Sequence, residues 1–509
     1  MKTNSTKLPQ LKATGKWITN PDGDVVILRG VNLVSKTSKT PEELGFDRRN
    51  ARLLKDRGFS VVRLGVVWCN VEPYLKPDGT NREYDTKYLS SIKRTIELLA
   101  DHGIYTLVDF HQDAYSVPWG YGAPTWALVA GGTNTPSIGF PICNFGTEAP
   151  ENISLTFPNK LAKPPYTTIP VETDVAAAFD AFWENTLVGV GVDKLGLWVH
   201  YGAMLQFVAE FLSGQQGNIL GYDPFNEPTP GKHWTEAYIP PAPPNDTPMN
   251  FANGCPTFDA RLAKFYEQSV IPNLRKGHPQ AIIWFESNVL HGLNAPSFLP
   301  DLGFQNLGFN FHNYDSPTYK APVTNAINYQ EKYPIPLLCS EFGATTNPDV
   351  INTIQVKNDQ YMFSAIYWAY FNNPRYKFAP TGGALPSDPR SQAIVRDMSE
   401  DLWEPNVNHD VLTALTHVYP RVVAGTPIAF SYNPDKKTFH LQYSTGKPPD
   451  GKEISQNLTS IVVPRALYPS GYTVSVTNGS VQSQDAWIVN IAAKPSSSPI
   501  TVDVDIKGK

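Results

Sequence analysis

At 509 residues, with 41% hydrophobic and 17% charged residues, the chain has room for a large core and an accessory domain. A formal net charge of −5 and no Lys/Arg run give nucleic acid and anionic membrane surfaces nothing to bind. No apolar stretch reaches the roughly 18 residues a membrane span requires. Met1–Gln10 lacks the apolar segment of a signal peptide, so the protein is either cytosolic or mature and trimmed.

In chain order, Thr14–Asn20 and Asp24–Arg29 flank Pro21-Asp22-Gly23, a hairpin signal. Short apolar runs then recur at Val25–Val34, Val61–Trp68, Tyr105–Phe110, Ile219–Phe225, Ala281–Phe285, Leu307–Phe311, Leu337–Ser340 and Phe363–Tyr370. Near-continuous apolar runs of this length suit strands buried on both faces of a parallel sheet. Helical patterns lie between them, as in Tyr84–Gly103, Leu195–Leu212 and Phe258–Leu274. Eight such strand–helix units predict an α/β fold, a (β/α)8 TIM barrel over residues 1–425 with an N-terminal β-hairpin. A doubly wound open sheet is the competing architecture, but no glycine-rich phosphate loop follows the first strand.

Two insertions after strands, His111–Asp193 and Pro228–Pro256, are rich in Pro, Gly, Asn and Thr. In a barrel such loops build the active-site face. From about Thr426 short alternating runs between turn residues predict a C-terminal β-sandwich over 426–509. Of four cysteines, Cys143 and Cys255 lie in loop-like segments and can pair, while Cys69 and Cys339 read as buried thiols in strands. That split favours an oxidising compartment.

Two carboxyl groups at strand ends are what hydrolysis of a glycosidic bond requires. Glu227 follows Ile219–Asn226 and precedes Pro228; Glu341 ends Leu337-Leu338-Cys339-Ser340 and precedes Phe342-Gly343. They fall on strands four and seven. Asn226 offers an amide for a sugar hydroxyl. Glu286 also follows an apolar run but reads as a rim or structural carboxylate. No His/Cys/Asp cluster has metal-ligand spacing and no Gly-x-Ser-x-Gly elbow occurs, so neither a metal, a cofactor nor a serine triad is expected.

These motifs resemble glycoside hydrolase family five, and within it the endoglycoceramidases. The resemblance covers about residues 15–430. It implies Arg63 near the nucleophile, His111 and Asp113 at the end of strand three, His312 and Tyr314 at the end of strand six, and Trp368 under the sugar. Gly30–Lys36 is similar to the subgroup's first-strand segment with its sugar-binding Lys36, although Lys39 is an alternative. Gly122-Ala123-Pro124-Thr125-Trp126-Ala127 is similar to its third-strand loop, and Tyr419–Pro427 to its junction into the sandwich.

The resemblance implies a retaining enzyme, with Glu341 the nucleophile and Glu227 the acid/base. The substrate would be a glycosphingolipid at a membrane or micelle surface, and the enzyme a secreted monomer. A cellulase-like endo-β-glucanase is the alternative. Trp119 and Trp126 are candidates for the aglycone side, or equally for loop packing. Some of these two and Tyr115, Tyr121, Phe140, Phe145 and Phe182 are expected to form an apolar surface beside the acid/base.

Overall fold

The computed structural model describes residues 7–75, 82–113, 115–116, 121–128, 174–189, 194–237, 251–314, 320–371, 392–403, 405–485 and 487–509. Eight parallel strands close into a barrel: Arg29–Leu33, Val61–Val66, Tyr105–Phe110, Ile219–Asp223, Ile282–Glu286, Leu307–Asn313, Leu337–Gly343 and Ser364–Trp368. Nearly every residue in them is buried, because helices cover the outer face and side chains fill the inner one. The doubly wound alternative is thereby excluded.

The helices follow local chemistry. Asp85 caps Thr86–Asp101 by accepting from the N–H groups of Lys87 (2.9 Å) and Tyr88 (2.8 Å), and Tyr88, Ile92, Ile96 and Leu99 form the buried face. The stretch Phe258–Leu274 is helical in three joined parts, Pro256–Phe265, a π turn Tyr266–Val270, and Ile271–Gly277. The turn aims the Tyr266 hydroxyl at the Glu286 carbonyl, 2.8 Å away.

The sandwich is not confined to the tail. Its larger sheet runs Lys12–Thr14, Trp17–Thr19, Val25–Val26, Tyr419–Val423, Thr459–Val462, Ile488–Ala493, Gly479–Gln484; the smaller runs Thr426–Asn433, Thr438–Ser444, Thr501–Gly508, Tyr472–Thr477. The N-terminal hairpin thus belongs to the accessory sheet, joined by Val422 and Val423 pairing with Val26 and Val25. Buried Asp24 secures the junction, accepting from Ser455 Oγ at 2.7 Å and Asn457 Nδ2 at 2.6 Å. Gly479–Gln484 had no sequence signal because it is an exposed edge strand with no apolar alternation.

Cys69 lies in a single helical turn, Trp68–Val71, rather than a strand. Cys255 is a buried free thiol, as are Cys69 and Cys339. Cys143, with which Cys255 can pair by the sequence reading, lies outside the described residues.

Candidate active site

Toward the C-terminal end of the barrel, polar side chains converge on Arg63. Its guanidinium is fully buried and donates to Asp223 (Nε 3.0 Å, Nη2 2.8 Å), Asp109 (2.9 Å), Asn226 (2.7 Å), Asn32 (3.1 Å) and Glu341 (2.5 Å). Glu286 lies 3.5 Å away. Carboxylates outnumber cations here. Burial, then the charge of Glu286, pushes Asp223 well above the usual carboxylate range, and Arg63 opposes them.

A register shift in the seventh strand sets Glu341 beside His312 of the sixth. Gly343, at φ +95°, ends that strand where a Cβ would meet the Tyr367 ring at 2.7 Å. The Tyr314 hydroxyl donates to Glu341 Oε2 at 2.6 Å. With Arg63 on the other oxygen, Glu341 meets donors on both sides.

Glu227 stands opposite, half-buried, with its backbone in the left-handed region at φ +47°. Gln112 Nε2 donates to Asn226 O at 2.7 Å, and Glu286 Oε2 accepts from Glu227 N–H at 3.0 Å, so the strained turn is held from two sides. His312 Nδ1 lies 2.8 Å from Glu227 Oε1 and 3.6 Å from Glu341 Oε2. Burial raises the pKa of Glu227, the negative charge of Glu341 adds to this, and His312 opposes it. For His312 burial disfavours the imidazolium, yet Glu286, Glu341 and the bond to Glu227 hold it well above its ordinary value.

Glu227, His312 and Glu341 present ligand-type atoms within 4.8 Å of one another. At that spacing the imidazole can share a proton with either carboxylate. Asn226 gives one amide N–H to Gln112 O (2.8 Å) and accepts from Arg63, which leaves its second N–H for a ligand.

A second cluster borders the pair. Lys36 Nζ lies 2.7 Å from Asp113 and sits 4.7 Å from the ring centre of Trp368. His111 stacks on Trp368 at 5.5 Å and bonds Asp109 Oδ2 at 2.6 Å. Lys36 is buried here, whereas Lys39 is exposed. Lys36 and His111 together hold the Asp113 carboxyl below its usual range despite burial.

Two residues had open readings, and their packing bears on both. Of the rim and structural readings of Glu286, its burial behind Glu227 fits the structural one, a placement its neighbours in sequence could not reveal. Trp126 does not face a cleft: its ring packs edge-on against Trp68 at 5.4 Å, and its N–H donates to Glu72 O at 3.1 Å. Tyr115, Tyr121 and Phe182 are buried likewise. Large rings in the loop after strand three fill the gap between barrel and helices because burial there is worth more than exposure. Trp119, Phe140 and Phe145 lie outside the described residues.

Two family models match the chain: Cellulase (glycosyl hydrolase family 5) over residues 20–375, and the glycoside hydrolase family 5 C-terminal domain over residues 418–506. Endoglycoceramidase I of Rhodococcus hoagii is 25% identical, covering 99% of this chain and 90% of its own length. An endoglycoceramidase of Cyanea nozakii is 24% identical over 79% of this chain and 73% of its own. In fold, the chain matches endo-glycoceramidase II from Rhodococcus sp. in its ganglioside GM3 complex, with TM-score 0.66, 22% identity and coverage of 97% and 100%.

Proposed function

The chain belongs to glycosyl hydrolase family 5, and on that premise we propose that it is a retaining endoglycosidase cleaving the β-glycosidic bond between an oligosaccharide and ceramide. The observation that carries the substrate is that likeness to a named endoglycoceramidase runs along 99% of the chain, through both domains. An endo-β-glucanase is the second reading, because the description of the barrel's family model is that of a cellulase.

In the proposed reaction Glu341 attacks the anomeric carbon while Glu227 protonates the departing oxygen. His312 donates to Glu227 Oε1, so the other oxygen carries the proton toward the leaving group. Once Glu341 is esterified its charge is gone, one cause of the raised Glu227 pKa disappears, and Glu227 becomes the base that activates water. Arg63 and Tyr314 orient the nucleophile. Lys36, His111, Asp113, Asn226 and Trp368 bind the sugar. No metal takes part.

The reading includes an extracellular monomer working at a membrane or micelle surface. Incubation of the purified enzyme with a glycosphingolipid and with carboxymethyl-cellulose, with and without detergent, tests the substrate. Release of free oligosaccharide and ceramide is expected; turnover of the cellulose alone would favour the second reading. Activity recovered from culture medium rather than cell lysate tests the location.

A further inference from the structure

We propose that Glu286, on the fifth barrel strand, is a positioning residue that sets both the orientation and the proton affinity of Glu227. This inference depends on Glu227 being the acid/base. The carboxylate reaches Glu227 by two routes. Oε2 accepts from the Glu227 backbone N–H at 3.0 Å and holds the left-handed turn; Oε1 lies 3.2 Å from His312 Nε2, and the opposite nitrogen of that ring bonds Glu227 Oε1 at 2.8 Å. One rigid group therefore clamps the backbone and, through the imidazole, the carboxyl of the same residue.

Glu286 is itself immobile. Asn310 Nδ2 donates to it at 3.1 Å, Arg63 lies 3.5 Å away, and the Tyr266 hydroxyl holds its backbone carbonyl at 2.8 Å. Rotation about its side chain would break the contacts to Asn310 and Arg63.

The charge follows the same path. Around Glu286 stand Arg63 from the second strand, Asp223 from the fourth and His312 from the sixth; around Glu227 stand His312, Glu341 and Asp113. His291, in the turn after the fifth strand, is kept neutral by burial, which pushes it down to about 3. Among the described residues His312 is the cationic group that pairs directly with Glu227, and Glu286 is the first of the carboxylates that keep it charged. Without that charge the imidazole gives up its proton at lower pH, and Glu227 then holds its own proton more tightly.

The experiment compares wild type, Glu286→Gln and Glu227→Ala on aryl β-lactosides running from a dinitrophenyl to a methoxyphenyl leaving group. A substrate with an activated leaving group needs no proton donor. Glu227→Ala is expected to lose about 10³-fold in kcat/KM on the methoxyphenyl compound and far less on the dinitrophenyl one. Glu286→Gln is expected to show the same slope, weaker, at about 10-fold against under about 3-fold. The basic limb of its pH–kcat/KM profile moves to higher pH, and Glu286→Asp, which restores the charge, returns it toward wild type.

A uniform loss across leaving groups with an unmoved basic limb in Glu286→Gln would overturn the proposal and make Glu286 a scaffold residue. A flat leaving-group response in Glu227→Ala would instead overturn the acid/base reading beneath it. Should Glu286→Gln not fold, Glu286→Asp draws the oxygen back from the Glu227 N–H, and the same series reads the positioning defect from it.

Discussion

Glu227 and Glu341 bring carboxylate oxygens within 4.8 Å of each other across the mouth of the barrel, from the ends of the fourth and seventh strands. Retaining glycosidases place their carboxyl groups about 5–5.5 Å apart, whereas inverting ones leave roughly 6.5–9.5 Å for a water. The narrower gap leaves one of the two groups to act as the nucleophile itself.

Replacing Glu341 with Ser is expected to abolish hydrolysis and leave the fold intact. Glu341 is buried, but Arg63 keeps Asp109, Asp223 and Glu286 as partners, and loss of one negative charge relieves a crowded cluster. An α-glycosyl fluoride, which brings its own leaving group, should still be transferred to an acceptor. Residual hydrolysis at the wild-type rate would dismiss Glu341 as nucleophile.

Lys36→Met removes a cation held between Asp113 and the Trp368 face. A hydrogen bond from a charged group is worth about 1.5–3 kcal/mol, so KM should rise about tenfold or more with kcat little changed. A fall in kcat at constant KM would instead link Lys36 to the chemical step.

Trp126→Ala tests whether this ring packs the loop or meets the aglycone. Deleting a buried ring that packs on Trp68 should cost about 3–5 kcal/mol of stability, seen as a lowered melting temperature. The surviving enzyme should turn over ceramide-linked and small aryl glycosides in the wild-type ratio. A selective loss on the lipid substrate would restore Trp126 to the aglycone side.

Asp259 links stability to pH. It is buried at the start of the helix Pro256–Phe265 and accepts from Asn288 Nδ2 (2.8 Å) and Phe298 N–H (2.6 Å), and burial pushes it up to about 7. The folded state therefore holds a proton that the unfolded chain releases near its ordinary value of 3.8. The resulting stability is full below that value and is lost as pH rises to about 7, a change on the order of a few kcal/mol. Denaturant midpoints from pH 4 to 8 should fall for wild type, and the fall should be smaller in Asp259→Asn. Identical slopes in the two proteins would show that Asp259 does not titrate this way.

The chain's own order of residues determined a good deal. Apolar runs bounded by helical periodicity mark the eight barrel strands, because a strand buried on both faces must be apolar throughout, and a Glu closing such a run stands out against it. That contrast made Glu227 and Glu341 legible, and motif neighbours marked Arg63, His312 and Tyr314 for the same place.

Tertiary structure decided what depends on neighbours far apart in sequence. Val25–Val26 and Val422–Val423 form one sheet across some four hundred residues, so the hairpin's allegiance to the accessory domain has no local signal. Glu286 gained its place because closing the barrel sets the fifth strand between the fourth and sixth, bringing Glu227 N–H and His312 to one carboxylate. Trp126 reads alike in sequence whether it faces lipid or core; only the packing of Trp68 against it turned the ring inward. Composition and periodicity record which residues must leave water, whereas the partner that each one meets is set by the closure of the barrel.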